Sequence, residues 1–157
     1  MSRCAVLGLG NPLLSDDAVG LRVADELSRL LAADPIPGVD VLQSARGGFE
    51  LIDLLQGYER AVIIDALDIP EGEPGRVRRL GMEEFAGSAR LVGAHEVSLS
   101  TAFELARRLS IPMPSEVEVI GIEVEDSRTF SEQLTPAVNA VVAPLAAEIH
   151  ATLKSLR

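Results

Sequence analysis

Gly8-Leu9-Gly10-Asn11-Pro12-Leu13-Leu14-Ser15-Asp16-Asp17-Ala18-Val19-Gly20 joins two segments of different periodicity. Before it, Cys4-Ala5-Val6-Leu7-Gly8-Leu9 is a continuous apolar run, as in a strand buried on both faces, and such strands belong to parallel sheets. After it, Val19, Val23, Leu27 and Leu30/Leu31 recur at the spacing of an amphipathic helix. The pattern predicts a helix that starts at about Asp17, with Ser15 or Asp16 available as its N-cap. A buried strand that turns through glycines into a helix opens a strand–helix–strand unit, which points to an α/β fold.

Working outward, Asp34-Pro35-Ile36-Pro37-Gly38 ends the helix and Val39-Asp40-Val41-Leu42 reads as a second strand. Gly47-Gly48 makes another turn, and Phe49 to Gln56 a short helix closed by Gly57. Ala61-Val62-Ile63-Ile64 is a buried strand ending in Asp65. The turn-rich Asp68 to Gly75 leads into Arg76-Val77-Arg78-Arg79-Leu80, whose charge alternation predicts an edge or antiparallel strand. A helical turn is expected near Glu83-Glu84-Phe85, and a helix from about Ser98 to Leu109, stopped by Pro112 and Pro114. Val117 to Ile122 supplies a further strand, and Glu123 to Gln133 a polar loop. Thr135-Pro136 then provides an N-cap and first-turn proline for a long helix, with Val138, Val141, Val142, Leu145, Ile149 and Leu153 inward and a kink expected at Pro144. Residues 1–157 therefore read as one α/β domain, a three-layer αβα sandwich around a mostly parallel, twisted sheet of about five strands with one antiparallel edge strand.

Composition limits what such a domain can do. With 14 Lys+Arg against 24 Asp+Glu, the net charge of −10 opposes a nucleic-acid backbone or an anionic membrane surface as partner. The single cysteine, Cys4, allows neither an internal disulfide nor a cysteine-based metal site, and its apolar strand makes it a small buried hydrophobe. The N-terminus enters its first strand without a signal-peptide core or a membrane-length apolar span, so a cytoplasmic location is expected. The basic cluster Arg76, Arg78 and Arg79 is a candidate surface for an acidic partner. His150, in the last helix, is expected to be solvated.

Ligands of open α/β sheets bind beyond the carboxyl ends of the parallel strands. Asp17 follows the first such end, Asp65 ends the strand around Ile64, and His95 precedes its helix in a loop that can return to the same edge. Two carboxylates and an imidazole leave open coordination positions and suit a divalent first-row metal such as zinc or nickel. A helix N-terminus beside Asp17 favours its anion by about 0.3–1 kcal/mol. The same residues also admit plainer roles: Asp16 or Asp17 as a helix cap, Asp65 capping a loop, His95 hydrogen-bonded at the surface. No nucleotide site is expected, because Leu13 stands where the third glycine of a dinucleotide fingerprint belongs and the two aspartates would repel a pyrophosphate. Neither a G-x-S-x-G elbow nor an H-E-x-x-H helix is present.

The 8–20 stretch resembles the opening motif of the hydrogenase maturation proteases, endopeptidases that trim the large subunit of [NiFe] hydrogenases. Ile63-Ile64-Asp65-Ala66 resembles the family's second motif, and Ala94-His95-Glu96-Val97-Ser98-Leu99 its histidine motif. Val119-Ile120-Gly121-Ile122-Glu123 and Leu134-Thr135-Pro136-Ala137-Val138 resemble its C-terminal features. The resemblance implies that Asp17, Asp65 and His95 form the metal-binding set, with possible catalytic roles as well. The metal would be nickel already seated in the substrate's catalytic centre, and the substrate a large-subunit precursor that loses a C-terminal extension after nickel insertion. Asp16 is then a supporting or capping residue, Asp68 a weaker candidate, and Gly10 and Asn11 shape the turn. The glycines would bring backbone close to the substrate's metal centre. Where many members carry Asp-Gly after the second strand, this chain has Gln43-Ser44-Ala45-Arg46-Gly47-Gly48, so no aspartate role carries over there. Two other classes stay open on sequence alone: a non-proteolytic nickel-binding or chaperone-like module for the large subunit, and an esterase like the peptidyl-tRNA hydrolases, which share Gly-Leu-Gly-Asn-Pro after a first strand.

Overall fold

The computed structural model describes residues 2–45, 47–82 and 99–156. Five strands, β1 (Cys4–Leu9), β2 (Val39–Ser44), β3 (Arg60–Leu67), β4 (Val77–Gly81) and β5 (Glu116–Glu123), form one sheet in the order β2-β1-β3-β5-β4. β1 pairs in parallel with β2 and β3, and β3 in parallel with β5. The arginine-rich β4 closes the sheet as the expected antiparallel edge, with Arg78 opposite Gly121.

Helices cover both faces, as the unbroken apolar strands require. On one face α1 (Val19–Ala33) and α4 (Pro136–Ser155) bury Val19, Val23, Leu27, Val138, Leu145 and Ile149 against Val6, Val62, Ile64, Ile120 and Ile122. On the other, α2 (Glu50–Leu55) and α3 (Leu99–Arg108) bring Leu51, Leu55 and Leu99 onto Ala5, Leu7, Ile63, Leu67 and Val119. Cys4 is buried at the start of β1. Among the described residues no helix is long and apolar enough to cross a membrane.

Two boundaries differ from the sequence expectation. The first helix does not start at Asp17: a 3-10 turn, Ser15–Ala18, intervenes, and α1 begins at Val19 without a side-chain cap. The third strand does not stop at Asp65, because Ala66 and Leu67 continue the ladder opposite Ile122 and Glu123. α4 runs through Pro144 as one helix. The expected turn near Glu83-Glu84-Phe85 lies outside the described residues.

The glycines of the 8–20 stretch serve close packing. A Cβ on Gly8 would stand 2.3 Å from the Gly20 carbonyl oxygen, and one on Gly20 would stand 2.3 Å from that of Ile64 and 2.4 Å from that of Leu9. The first turn of α1 therefore sits on the carboxyl ends of β1 and β3. Gly8 and Gly20 thus hold the helix on the sheet.

Candidate active site

The turn from Gly10 to Ala18 is built from the backbone outward. Gly10 has φ 154°, and a Cβ there would lie 2.1 Å from the Asp17 carbonyl oxygen, so only glycine fits. Its amide donates to Ser44 O of β2 at 3.2 Å. Asn11 shapes the next step: its Oδ1 accepts the Leu13 amide at 2.9 Å, and its own amide donates to Asp17 Oδ2 at 3.0 Å. Ser15 holds a left-handed φ of 43°, a conformation that costs a non-glycine residue roughly 1 kcal/mol or more. Bonds from its amide to Ser131 O and from its hydroxyl to Gln133 O, at 2.9 and 3.0 Å, hold it there.

Asp16 and Asp17 have separate tasks. Asp16 is fully buried and does not cap α1; its carboxylate accepts four hydrogen bonds, from the Glu125, Asp126 and Thr135 amides and the Thr135 hydroxyl. It thereby fastens the turn after β1 to the segment between β5 and α4. Asp17 is 6% exposed and lies in the 3-10 turn just ahead of α1, whose Val19 amide donates to Asp16 O.

Asp65 is 4% exposed, and its Oδ1 accepts the Ala66 amide at 2.8 Å. Strand alternation puts it on the face of Ile63 and Leu67. Cα atoms of the 3-10 turn and of β3 approach within 8 Å, so the elements carrying Asp17 and Asp65 meet at one sheet edge. The third expected member, His95, lies outside the described residues. Among the described residues no group of three His, Cys, Asp or Glu side chains is gathered as a metal site; the chemistry of the two carboxylates, hard oxygen donors with open coordination positions, fits a divalent metal.

A family model described as hydrogenase maturation protease matches residues 21–152. The chain belongs to the hydrogenase maturation protease family. The match begins just past the 8–20 turn, so membership does not depend on the motif that first carries the resemblance. Hydrogenase 2 maturation protease of Escherichia coli (strain K12) is 29% identical over 97% of this chain and 91% of its own length. The hydrogenase expression/formation protein HupD of Bradyrhizobium diazoefficiens is 31% identical over 91% of this chain and 73% of its own. The solved structure of the hydrogenase-maturating endopeptidase HybD from E. coli superposes with a TM-score of 0.79 at 26% identity, covering 98% of this chain and 93% of that one. This hydrogenase maturation protease is accordingly a peptide-bond hydrolase with the α/β fold of its relatives.

Other residues expected at the surface of the protease have internal partners. Glu123, read as the start of a polar loop, is the buried last residue of β5. It pairs with Arg78 at 3.0 Å and Arg76 at 3.7 Å and accepts the Glu73 amide at 3.0 Å. Burial raises its pKa, but the Glu73 amide and the two guanidinium groups outweigh that and hold it below the ordinary 4.5. Arg79 bridges Glu118 and Glu148. The arginines thus brace β4 and the 68–76 loop from within the chain. Asp68 is half-buried just after β3. His150 is not simply solvated: its Nε2 lies 2.9 Å from Asp34 O at the end of α1. Gln43 points its amide at Leu21 O and Asp25 Oδ1 of α1, and the Ser44 hydroxyl donates to Glu50 Oε2, so the residues standing in place of the family's Asp-Gly are tied to neighbouring helices. A groove of about 580 Å³ between α1 and α4 is lined by Arg22, Asp25, Glu26 and Asn139, on the opposite face of the sheet from Asp65.

Proposed function

We propose that this protease removes the C-terminal extension of a [NiFe] hydrogenase large-subunit precursor after nickel insertion, reading the inserted nickel through Asp17, Asp65 and His95. The observation that carries the reading is the meeting of the Asp17 turn with β3, so that two buried carboxylates share one sheet edge in a chain of this family. Leu99, in the helix that follows His95, packs with Ile63 and Leu67 on the face of Asp65, which supports including the imidazole. Two carboxylates and one imidazole leave coordination positions free for a metal that the substrate already holds. Asn11 and Gly10 orient Asp17, and Asp16 fixes the turn from behind, so Asp17 is set before the substrate arrives. The reaction hydrolyses one peptide bond with one water, leaving a new carboxylate on the mature subunit and an amine on the released peptide.

Nickel-loaded and nickel-free precursor, each incubated with the protease and weighed by mass spectrometry, test the reading. Loss of the C-terminal peptide from the loaded form alone is expected. Equal cleavage of both forms contradicts nickel reading, and cleavage of neither contradicts the substrate.

A further inference from the structure

Among the described residues, the large apolar side chains left exposed are Leu13, Phe49, Leu109, Phe130 and Leu156. Leu109 and Leu156 follow the C-terminal ends of α3 and α4, at the amino edge of the parallel strands. Leu13, Phe49 and Phe130 follow β1, β2 and β5, at the edge that carries Asp17.

Phe130 is the extreme case, 84% exposed on a loop that is firmly held. The Asp16 carboxylate clamps one end of that loop through the Glu125 and Asp126 amides and the other through Thr135. Asp126 Oδ1 accepts the Arg128 and Thr129 amides, both at 3.0 Å, just before the ring. Just after it, Ser131 donates to Leu13 O and accepts the Ser15 amide, at 3.0 and 2.9 Å, in a parallel bridge between Leu14 and Ser131. Leu13 is itself 52% exposed. A fixed backbone thus presents an aromatic ring and a leucine to solvent beside the turn that ends in Asp17.

We propose that Leu13 and Phe130 form an apolar ledge that docks the folded protein substrate beside Asp17, with the Phe130 ring entering an apolar recess of that partner. The inference rests on the substrate reading given above. Continuity favours this occupant: Ser131 bonds both Leu13 and Ser15, and the Asp17 amide donates to Leu14 O at 2.9 Å, so the ledge and the Asp17 turn form one hydrogen-bonded segment and a protein presented to Asp17 meets the ledge. Area argues against a second copy of this chain: an aromatic and a leucine side chain bury a few hundred Å² at most, against about 800 Å² per partner in a standard stable interface. A rigid, central aromatic is the kind of residue that dominates such contacts.

Steady-state cleavage of the nickel-loaded precursor by Phe130→Ala and Leu13→Ala variants tests the ledge, with Leu109→Ala and Leu156→Ala as controls from the opposite edge. Phe130→Ala is expected to lower kcat/KM about tenfold, carried by KM, with Leu13→Ala in the same direction and the controls within about twofold of wild type. Unchanged KM in both ledge variants overturns the proposal while leaving the substrate reading intact. If wild type binds the precursor without cutting it, the cleavage reading fails, and the ledge is judged by the Kd of the same precursor for the same variants. Sedimentation supplies the remaining check: a wild-type dimer that Phe130→Ala converts to monomer makes the ledge a self-contact and overturns the proposal.

Discussion

Thr135 donates both its amide and its hydroxyl to the carboxylate of Asp16, each at 2.7 Å, across 119 residues of sequence. The pair joins the turn after β1 to the N-cap residue of the last helix, and it explains why Asp16, beside the candidate ligand Asp17, is itself fully buried. Asp16→Ala leaves four donors without an acceptor and is expected to cost about 3–5 kcal/mol in urea unfolding at neutral pH. Thr135→Val keeps the amide and loses only the hydroxyl, at about 1 kcal/mol. A loss below about 1 kcal/mol in Asp16→Ala would show that the clamp carries little of the turn's stability.

Gly20 and Gly57 make a contrasting pair. A Cβ on Gly20 meets two carbonyl oxygens of the sheet backbone, which cannot move aside, whereas one on Gly57 meets nothing within 4 Å and suffers only from its φ of 84°. Gly20→Ala is expected to cost roughly 3 kcal/mol or more, and Gly57→Ala about 1 kcal/mol. Thermal unfolding of the two variants should rank them in that order.

Glu123 gives the fold a defined acid dependence. Its folded pKa is held below 4.5, so its contribution is fully present above the unfolded pKa and disappears as pH falls through the lower, folded value. Glu123→Gln is expected to be less stable by about 2 kcal/mol at pH 7, and the difference from wild type should close under acid. A gap that persists unchanged below the folded pKa would mean that shape, not charge, holds the 68–76 loop.

The layers and the mostly parallel sheet with its antiparallel edge follow from features a sequence displays: unbroken apolar runs for β1 and β3, charge alternation for β4, a helical stripe for α1. What it hides are partners far apart in the chain. Asp65 reads as a strand end because aspartate disfavours strands, yet pairing of Ala66 and Leu67 with β5 carries the ladder past it. The arginines of β4 look like a free basic patch until Glu123, 45 residues from Arg78, is folded beneath them. At the candidate site, the strand-edge rule brings Asp17 and Asp65 to the same edge, but the role of Asp16 depends on Thr135 and has no local signal. The exposure of Phe130 is equally silent, since a lone aromatic in a polar loop reads the same whether it turns inward or outward.

The most direct test of the site is the rate at which Asp17→Asn, Asp65→Asn and His95→Ala variants shorten nickel-loaded large-subunit precursor, each checked for an unchanged fold by thermal unfolding. The account predicts that each folded variant loses at least about tenfold in rate, since losing even an outer-shell partner of a metal ligand typically costs about 10–100-fold. Folded variants that all cleave the loaded precursor at the wild-type rate would contradict it.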